Sequence, residues 1–129
     1  MKKEFTKQEK TEYFNKIRRE WKISKAMSEN DLVTEALFRE AGIKGISYSG
    51  FYYVITQMRA LKLEGLPYVD AKTFAGWKEC GYKVKKGEKS KLNGVVWLGT
   101  PKKEDDDEED IFLYPKVYHL FHKTQVEEI

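Results

Sequence analysis

The chain has 129 residues, of which 40% are hydrophobic and 35% are charged. This length suits a single domain (1–129), and the apolar fraction, with eighteen aromatic residues, excludes a wholly disordered chain. The formal net charge of +3 conceals an uneven distribution, because the run EDDDEED at 104–110 holds seven of the 21 acidic residues. Outside that run there are 24 basic and 14 acidic side chains, a net charge of +10, which indicates a polyanionic partner such as nucleic acid.

The first residues, MKKEFTKQEK, lack the apolar stretch of a secretory signal, and no apolar run has the length of a membrane span. A single cysteine, Cys80, excludes an intramolecular disulfide. We therefore expect a cytoplasmic protein with no membrane partner.

The N-terminal segment 1–26 is predicted to form a basic helix, from about residue 4 onwards. Phe14, Ile17 and Trp21 recur there at helical spacing among lysines and arginines, with no proline or glycine. Such a pattern indicates a helix with a narrow apolar stripe and a basic exposed surface.

A second helix is predicted to begin at SEND, with Ser28 or Asn30 as the N-cap, and to end at Gly42. Phe38 falls off the apolar face of this helix. The residues predicted to be buried on that face are Leu32, Val33, Ala36 and Leu37.

The segment SYSGFYYVITQMRALKLEG predicts a third helix, capped by Ser47 or Ser49 and ended by Gly65 with Pro67. The aromatic run would also suit a strand, but the helical period persists along the segment. Its buried side is predicted to consist of Phe51, Val54, Ile55, Met58 and Leu61. A flank predicted to be partly exposed carries Tyr52, Thr56 and Arg59.

The second half of the chain predicts a short helix and then strands. Thr73 is the N-cap of the helix FAGWKEC, which Gly81 ends, and a tight turn at Lys86–Gly87 follows a short strand. NGVVWLG is a strand, and IFLYPKVYHLFHKTQ is another, in which Pro115 interrupts the ladder or marks a sheet edge. These strands form a hairpin with a mobile acidic loop, 100–110, at its tip. The predicted fold class is therefore α+β, with N-terminal helices packed on a small antiparallel sheet.

No catalytic motif is visible, so we expect no enzymatic activity and no cofactor. His119 and His122 stand three residues apart and would point to opposite faces of a strand, which argues against a metal site. Cys80 is interpreted as a small buried hydrophobe on the short helix. The acidic run lacks the glycine and ligand spacing of a calcium loop.

The segment TFAGWKECGYKVKKGEKS, 73–90, predicts a nucleic-acid interface, because lysines there alternate with aromatic rings. Trp77 and Tyr82 either stack on unpaired bases or fill the core, and the core is expected for Trp97. Tyr52 and Arg59 form a second candidate set. The candidate phosphate-binding residues are Lys83, Lys85, Lys86, Lys89 and Lys91.

The same segment, followed by the strand VVWL and by VYHLFHKTQVEE, resembles the N-terminal domain of ArdC-type antirestriction proteins of plasmids and phages. The resemblance covers 47–127. Gly50 matches the start of the family's glycine-initiated helix, whereas Phe51 and Tyr52 replace its usual Ile-Asn. The acidic run also departs from the family. The other matching residues are Thr73, Phe74, Trp77, Gly81, Val84, Lys86, Gly87, Glu88, Lys89, Phe121 and Gln125.

This resemblance implies sequence-independent binding of single-stranded DNA in a mobile-element, antirestriction context. Longer members of the family add a metalloprotease-like domain with a zinc motif. That motif is absent here, so no protease activity is implied.

Two alternatives compete with single-stranded DNA binding. In the first, the acidic loop imitates DNA and the protein inhibits a host nuclease or restriction protein. If the protein binds DNA instead, the loop either aids solubility or competes with DNA for the lysines. In the second, the second and third helices form a helix-turn-helix that reads duplex DNA. The joining segment, 42–47, is long for that motif, and the second of these helices is strongly apolar.

Overall fold

The computed structural model describes residues 7–101 and 111–129 of the chain. Three helices come first, and the remaining elements form two small sheets around a short fourth helix, which confirms the α+β class. In chain order the elements are α1 (Lys7–Ser28), α2 (Leu32–Ala41), α3 (Tyr48–Ala60), β1 (Ala71–Lys72), α4 (Phe74–Glu79), β2 (Tyr82–Val84), β3 (Leu92–Pro101), β4 (Ile111–His122), a 3-10 turn (Lys123–Gln125) and β5 (Val126–Glu128).

The larger sheet has the strand order β1-β4-β3, and β2 pairs with β5 in a separate antiparallel ribbon. The hairpin of β3 and β4 is confirmed, with a register that runs from Leu92 opposite Leu120 to Pro101 opposite Ile111. The acidic residues predicted at its tip, 104–110, lie outside the described residues. β4 continues through Pro115 without interruption. At this position β4 is paired on one side only, with β3, among the described residues, so Pro115 lies at a sheet edge, which is one of the two predicted alternatives.

α3 is the central helix of the fold. Every residue from 50 to 55 is buried, and the helix contributes to three hydrophobic clusters, one each with the sheet, with α1 and with α2. A helix that is apolar around its circumference is buried on several sides, and this explains the run FYYVI. The prediction that Tyr52 is partly exposed is therefore wrong: Tyr52 is 3% exposed.

The three clusters join distant parts of the chain. In the first, Val54 and Met58 pack with Leu92 and Leu120 of the sheet. In the second, Tyr53 packs with Ile17 of α1 and with Val95, and the partly buried rings of Trp21 and Trp97 add to it. The third cluster consists of Phe51, Tyr52 and Ile55 with partly buried neighbours that include Phe38.

The buried face of α2 differs from the prediction. Leu32 and Val33 are each 74% exposed, whereas Thr34 is 1% exposed and Phe38 packs against Phe51, with ring centroids 5.1 Å apart. Thr34 and Phe38 share a face because they are four residues apart. The expectation failed because the buried face is centred on a polar residue.

Asp31 caps α2, instead of the predicted Ser28 or Asn30. Its carboxylate accepts from the Thr34 backbone N–H at 3.0 Å and from the Thr34 hydroxyl at 2.7 Å. The hydroxyl also accepts from Arg59 at 2.9 Å, so Thr34 is buried with its polar atoms satisfied. The helix ends before Gly42, which has a φ of 61°, as the sequence predicted.

α3 begins as predicted with Ser47 as its cap but ends at Ala60, before the predicted Gly65. Lys62 adopts a φ of 57°, and the Leu63 N–H donates to the Met58 carbonyl at 2.8 Å, which closes the helix early. Leu61, predicted to be buried, is consequently 50% exposed.

Candidate nucleic-acid interface

The basic turn, residues 83–91, carries the five lysines that the sequence singled out. The Glu88 N–H donates to the Lys85 carbonyl at 3.1 Å across a turn in which Gly87 has a φ of 86°, as predicted. All five lysine side chains are exposed: Lys83, Lys85, Lys86, Lys89 and Lys91.

Both arms of the basic turn are attached to the buried residue Gln125. The Lys85 N–H donates to the Gln125 carbonyl at 2.9 Å. The Gln125 side-chain amide donates to the Lys89 carbonyl at 2.6 Å, and its oxygen accepts from the His122 N–H at 3.1 Å. Gln125 is 1% exposed, so its amide lies buried between the two arms and holds the turn in one position. The sequence had matched Gln125 to the family pattern without giving it this role.

Carboxylates reduce the positive charge on one side of the basic turn. In the β2–β5 ribbon Lys83 lies opposite Glu127, and the Lys85 ammonium donates to the Thr124 carbonyl at 3.1 Å. None of the five lysines forms a salt bridge with any described residue, and for the other three no such neighbour is seen. The ammonium groups most available to phosphates are therefore those of Lys86, Lys89 and Lys91.

Trp77 belongs to the core, which is one of the two alternatives that the sequence left open for this residue. It is 6% exposed, and its indole N–H donates to the Phe121 carbonyl at 2.8 Å, which attaches α4 to β4. Tyr82 is half-buried and meets Trp77 edge to face, with ring centroids 5.6 Å apart. A base has no access to the Trp77 ring, whereas part of Tyr82 stays exposed.

Tyr52 and Arg59 hold α2 against α3 and lie apart from the basic turn. The Tyr52 hydroxyl donates to the Asp31 carboxylate at 3.1 Å, and the Arg59 guanidinium lies 3.6 Å from the same carboxylate. Hydrogen bonds from Thr34 lower the pKa of Asp31, and burial raises the pKa of Tyr52. This polar network is structural, so the second candidate set is not assigned to DNA.

Cys80 is exposed, which contradicts the expectation of a small buried hydrophobe. It follows the last residue of α4, whose buried side chain is that of Trp77. The Lys72 ammonium lies 3.1 Å from the Cys80 sulfur and 5.3 Å from the centre of the Trp77 ring.

The two histidines lie in different environments, as the predicted strand geometry requires. His119 is exposed, with its Nδ1 at 3.1 Å from the Asn93 side-chain oxygen. His122 is 1% exposed, and its Nε2 lies 2.6 Å from the Glu64 carbonyl. In the part of the chain that the structure describes, no group of three metal-binding side chains is present.

An open groove of about 660 Å³, which we call the aromatic groove, adjoins the basic turn. The groove crosses β4. On one edge of β4 lies β1, which leads into α4, and on the other edge the Ser90 hydroxyl donates to the Leu120 carbonyl at 2.8 Å. Phe74, the first residue of α4, is 57% exposed. The groove is lined mainly by Phe74, Tyr118, His119 and Phe121, with Lys89 and Ser90 from the basic turn.

The exposure of Phe74 was not predicted from the sequence, because stacking was assigned to Trp77 and Tyr82, the aromatic residues next to the lysines. A signal was present: Phe74 directly follows the cap residue Thr73, whose hydroxyl accepts from the Gly76 N–H at 3.0 Å. A helix of six residues packs against the rest of the protein on one face only, and in α4 the buried side chain on that face is Trp77.

No helix among residues 7–101 and 111–129 combines the length and apolarity needed to cross a bilayer. No family model, curated protein or solved structure matches this chain.

Proposed function

We propose that this protein binds single-stranded DNA through the basic turn, without strong sequence preference. The observation that carries the proposal is the set of five exposed lysines on a turn whose two arms are attached to a buried glutamine. Ammonium groups bind phosphates as point charges and do not read base edges, so the expected binding is independent of sequence. The resemblance to the ArdC N-terminal domain supports the same ligand and an antirestriction role on a mobile element.

The burial of α3 argues against the helix-turn-helix alternative. A recognition helix inserts an exposed face into the major groove of duplex DNA. In this protein residues 50–55 are all buried, and the α3 side chains pack against the sheet, α1 and α2. α3 therefore has no comparable face to offer as a recognition helix.

The alternative of a nuclease inhibitor that imitates DNA depends on the run 104–110. That run lies outside the described residues, so this alternative stays a prediction from the sequence.

Fluorescence anisotropy with a labelled oligonucleotide, single-stranded or duplex, tests the proposal. We expect tighter binding of the single strand and an affinity that falls with salt, with a log–log slope of about −0.7 per phosphate neutralised. The double variant Lys85→Glu with Lys86→Glu is expected to weaken binding to all sequences alike. If both lysines contact phosphates, the slope becomes shallower by about 1.4.

The matched control is the double variant Lys25→Glu with Lys44→Glu. Both of these lysines are exposed and lie outside the basic turn, and the net charge changes by the same amount. Equal losses in the two double variants would mean that only overall charge matters and would contradict the proposal. A preference for duplex DNA would contradict it as well.

A further inference from the structure

We propose that the aromatic groove holds an unpaired nucleobase of the strand whose phosphates bind the basic turn; this inference rests on the proposed function. Stacking is thereby assigned to Phe74 and its neighbours in the groove. Of the rings that the sequence had favoured, Trp77 and Tyr52 are 6% and 3% exposed, and Tyr82 is half-buried against Trp77.

The size and lining of the groove suit a flat aromatic ligand. Its volume of about 660 Å³ lies within the range of small-molecule sites. Phe74 leaves 57% of its surface in water, and Tyr118 and Phe121, both partly exposed, also line the groove. An unpaired base offers two aromatic faces, so stacking there removes apolar surface of both partners from water.

The charge beside the groove identifies the class of occupant. Lys89 and Ser90 belong both to the basic turn and to the wall of the groove, so one nucleotide can place its phosphate at Lys89 and its base against Phe74. Lysines at the rim add nothing to the binding of an apolar peptide or of a second copy's apolar face, but they complement a polyanion. A single strand presents bases that are free to stack, whereas in a duplex they are paired and stacked already.

Trp77 acts here as a positioning residue. Its hydrogen bond to the Phe121 carbonyl fixes α4 on β4, and Phe74 and Phe121 lie on these two elements. The Gln125 bond to the Lys89 carbonyl fixes the opposite wall of the groove. The two walls are thus held in place before a ligand arrives, which lowers the ordering cost of binding.

The test measures the binding of wild type and of Phe74→Ala to an oligonucleotide of thymidines and to an abasic strand of the same length. Wild type is expected to bind the thymidine strand more tightly than the abasic strand. In Phe74→Ala the affinity for the thymidine strand is expected to fall roughly 5- to 150-fold, as for the loss of one stacked base. The abasic strand is expected to lose little, and Phe74→Trp is expected to restore binding of thymidines.

The control variant is Leu32→Ala, which removes an apolar side chain of 74% exposure on α2 and is expected to bind both strands like wild type. Thermal melting of each variant by circular dichroism establishes that it is folded. Phe74 is largely exposed, so Phe74→Ala is expected to melt close to wild type.

The outcomes separate this inference from the proposed function. If Phe74→Ala binds like wild type while the double variant at Lys85 and Lys86 loses affinity, the groove holds no base and the proposed function stands. If Phe74→Ala weakens binding of both strands equally, or changes the oligomeric state in sedimentation, the groove serves the backbone or a second copy and the inference is overturned. If wild type binds neither strand, both proposals fail.

Discussion

Replacing Gln125 by methionine tests whether this residue holds the basic turn in place. Methionine has a similar volume and no amide, so Gln125→Met removes the two hydrogen bonds of the amide to backbone groups, and its 3.5 Å bond to the Glu88 carboxylate, without opening a large cavity. The groups left without these partners are the carbonyl of Lys89 and the backbone N–H of His122.

The expected loss of stability follows from the burial of those two groups. A buried polar group left unsatisfied costs about 1–3 kcal/mol. His122 is 1% exposed and its N–H has no access to water, whereas Lys89 is exposed and its carbonyl can regain a water molecule. We therefore expect Gln125→Met to lower the free energy of unfolding by about 2–4 kcal/mol. At about 4 °C per kcal/mol for a chain of this size, the melting temperature falls by roughly 8–16 °C.

Gln57→Met is the matched control. The Gln57 side-chain amide donates to the Asn93 carbonyl at 2.8 Å and its oxygen accepts from the Asn93 N–H at 3.0 Å, so this glutamine also bridges two elements with two bonds. Asn93 is exposed, so water can replace both bonds. Here we expect a loss of only about 1 kcal/mol and no change in DNA binding.

Urea denaturation and thermal melting measure both effects, and anisotropy below the melting temperature measures binding. Gln125→Met is expected to bind single-stranded DNA less tightly while it is still folded, because the segment that carries Lys89 is released. Equal destabilisation by the Gln125 and Gln57 changes would refute the argument from burial. Unchanged DNA affinity in a destabilised Gln125→Met would show that the lysines need no fixed turn.

Two further predictions concern the helices and the sheet. Because hydrogen bonds from Thr34 hold the pKa of Asp31 below its ordinary 3.8, the stability that Asp31 contributes is present above pH 3.8 and is lost as the pH falls through the lowered pKa of the folded state. Asp31→Asn, which keeps a cap acceptor without a charge, is expected to flatten the profile of melting temperature against pH between about 5 and 2; parallel profiles would contradict this. Gly94→Ala is expected to lower the free energy of unfolding by about 1–3 kcal/mol, because the added Cβ would overlap the Tyr118 ring. Gly50→Ala is expected to stabilise α3 by up to about 1 kcal/mol, since the atom nearest to its added Cβ, the Ser47 hydroxyl oxygen, would lie at 3.4 Å. Urea denaturation compares the two glycine variants, and the opposite order would show that the ring moves aside.

The sequence predicted the elements whose signals are local. Thr73 and Ser47 cap their helices, Gly42 ends α2 and Gly87 forms the turn, each through contacts within a few residues. The paired strands β3 and β4 also follow from composition, since two apolar β-branched segments flank a polar run. The α+β class therefore needed no tertiary information.

Local signals in the sequence did not predict which side chains of the helices are buried. The period of α2 placed Leu32 and Val33 inside, but α2 packs on α3 through Thr34 and Phe38. A buried threonine is favourable only when its hydroxyl has partners, and here one of them is Arg59, 25 residues away.

What the sequence by itself determined is the set of elements, the positions of the caps and turns, and the exposed lysines of the basic turn. Only the tertiary structure decided which aromatic residue beside those lysines is accessible. Trp77 is buried because its N–H finds the carbonyl of Phe121, 44 residues away, and the turn is held because Gln125 reaches the carbonyl of Lys89, 36 residues away. Such partners are far apart in the chain and meet only when β4 packs beside α4, so the exposure of Phe74 and the aromatic groove are properties of the folded protein.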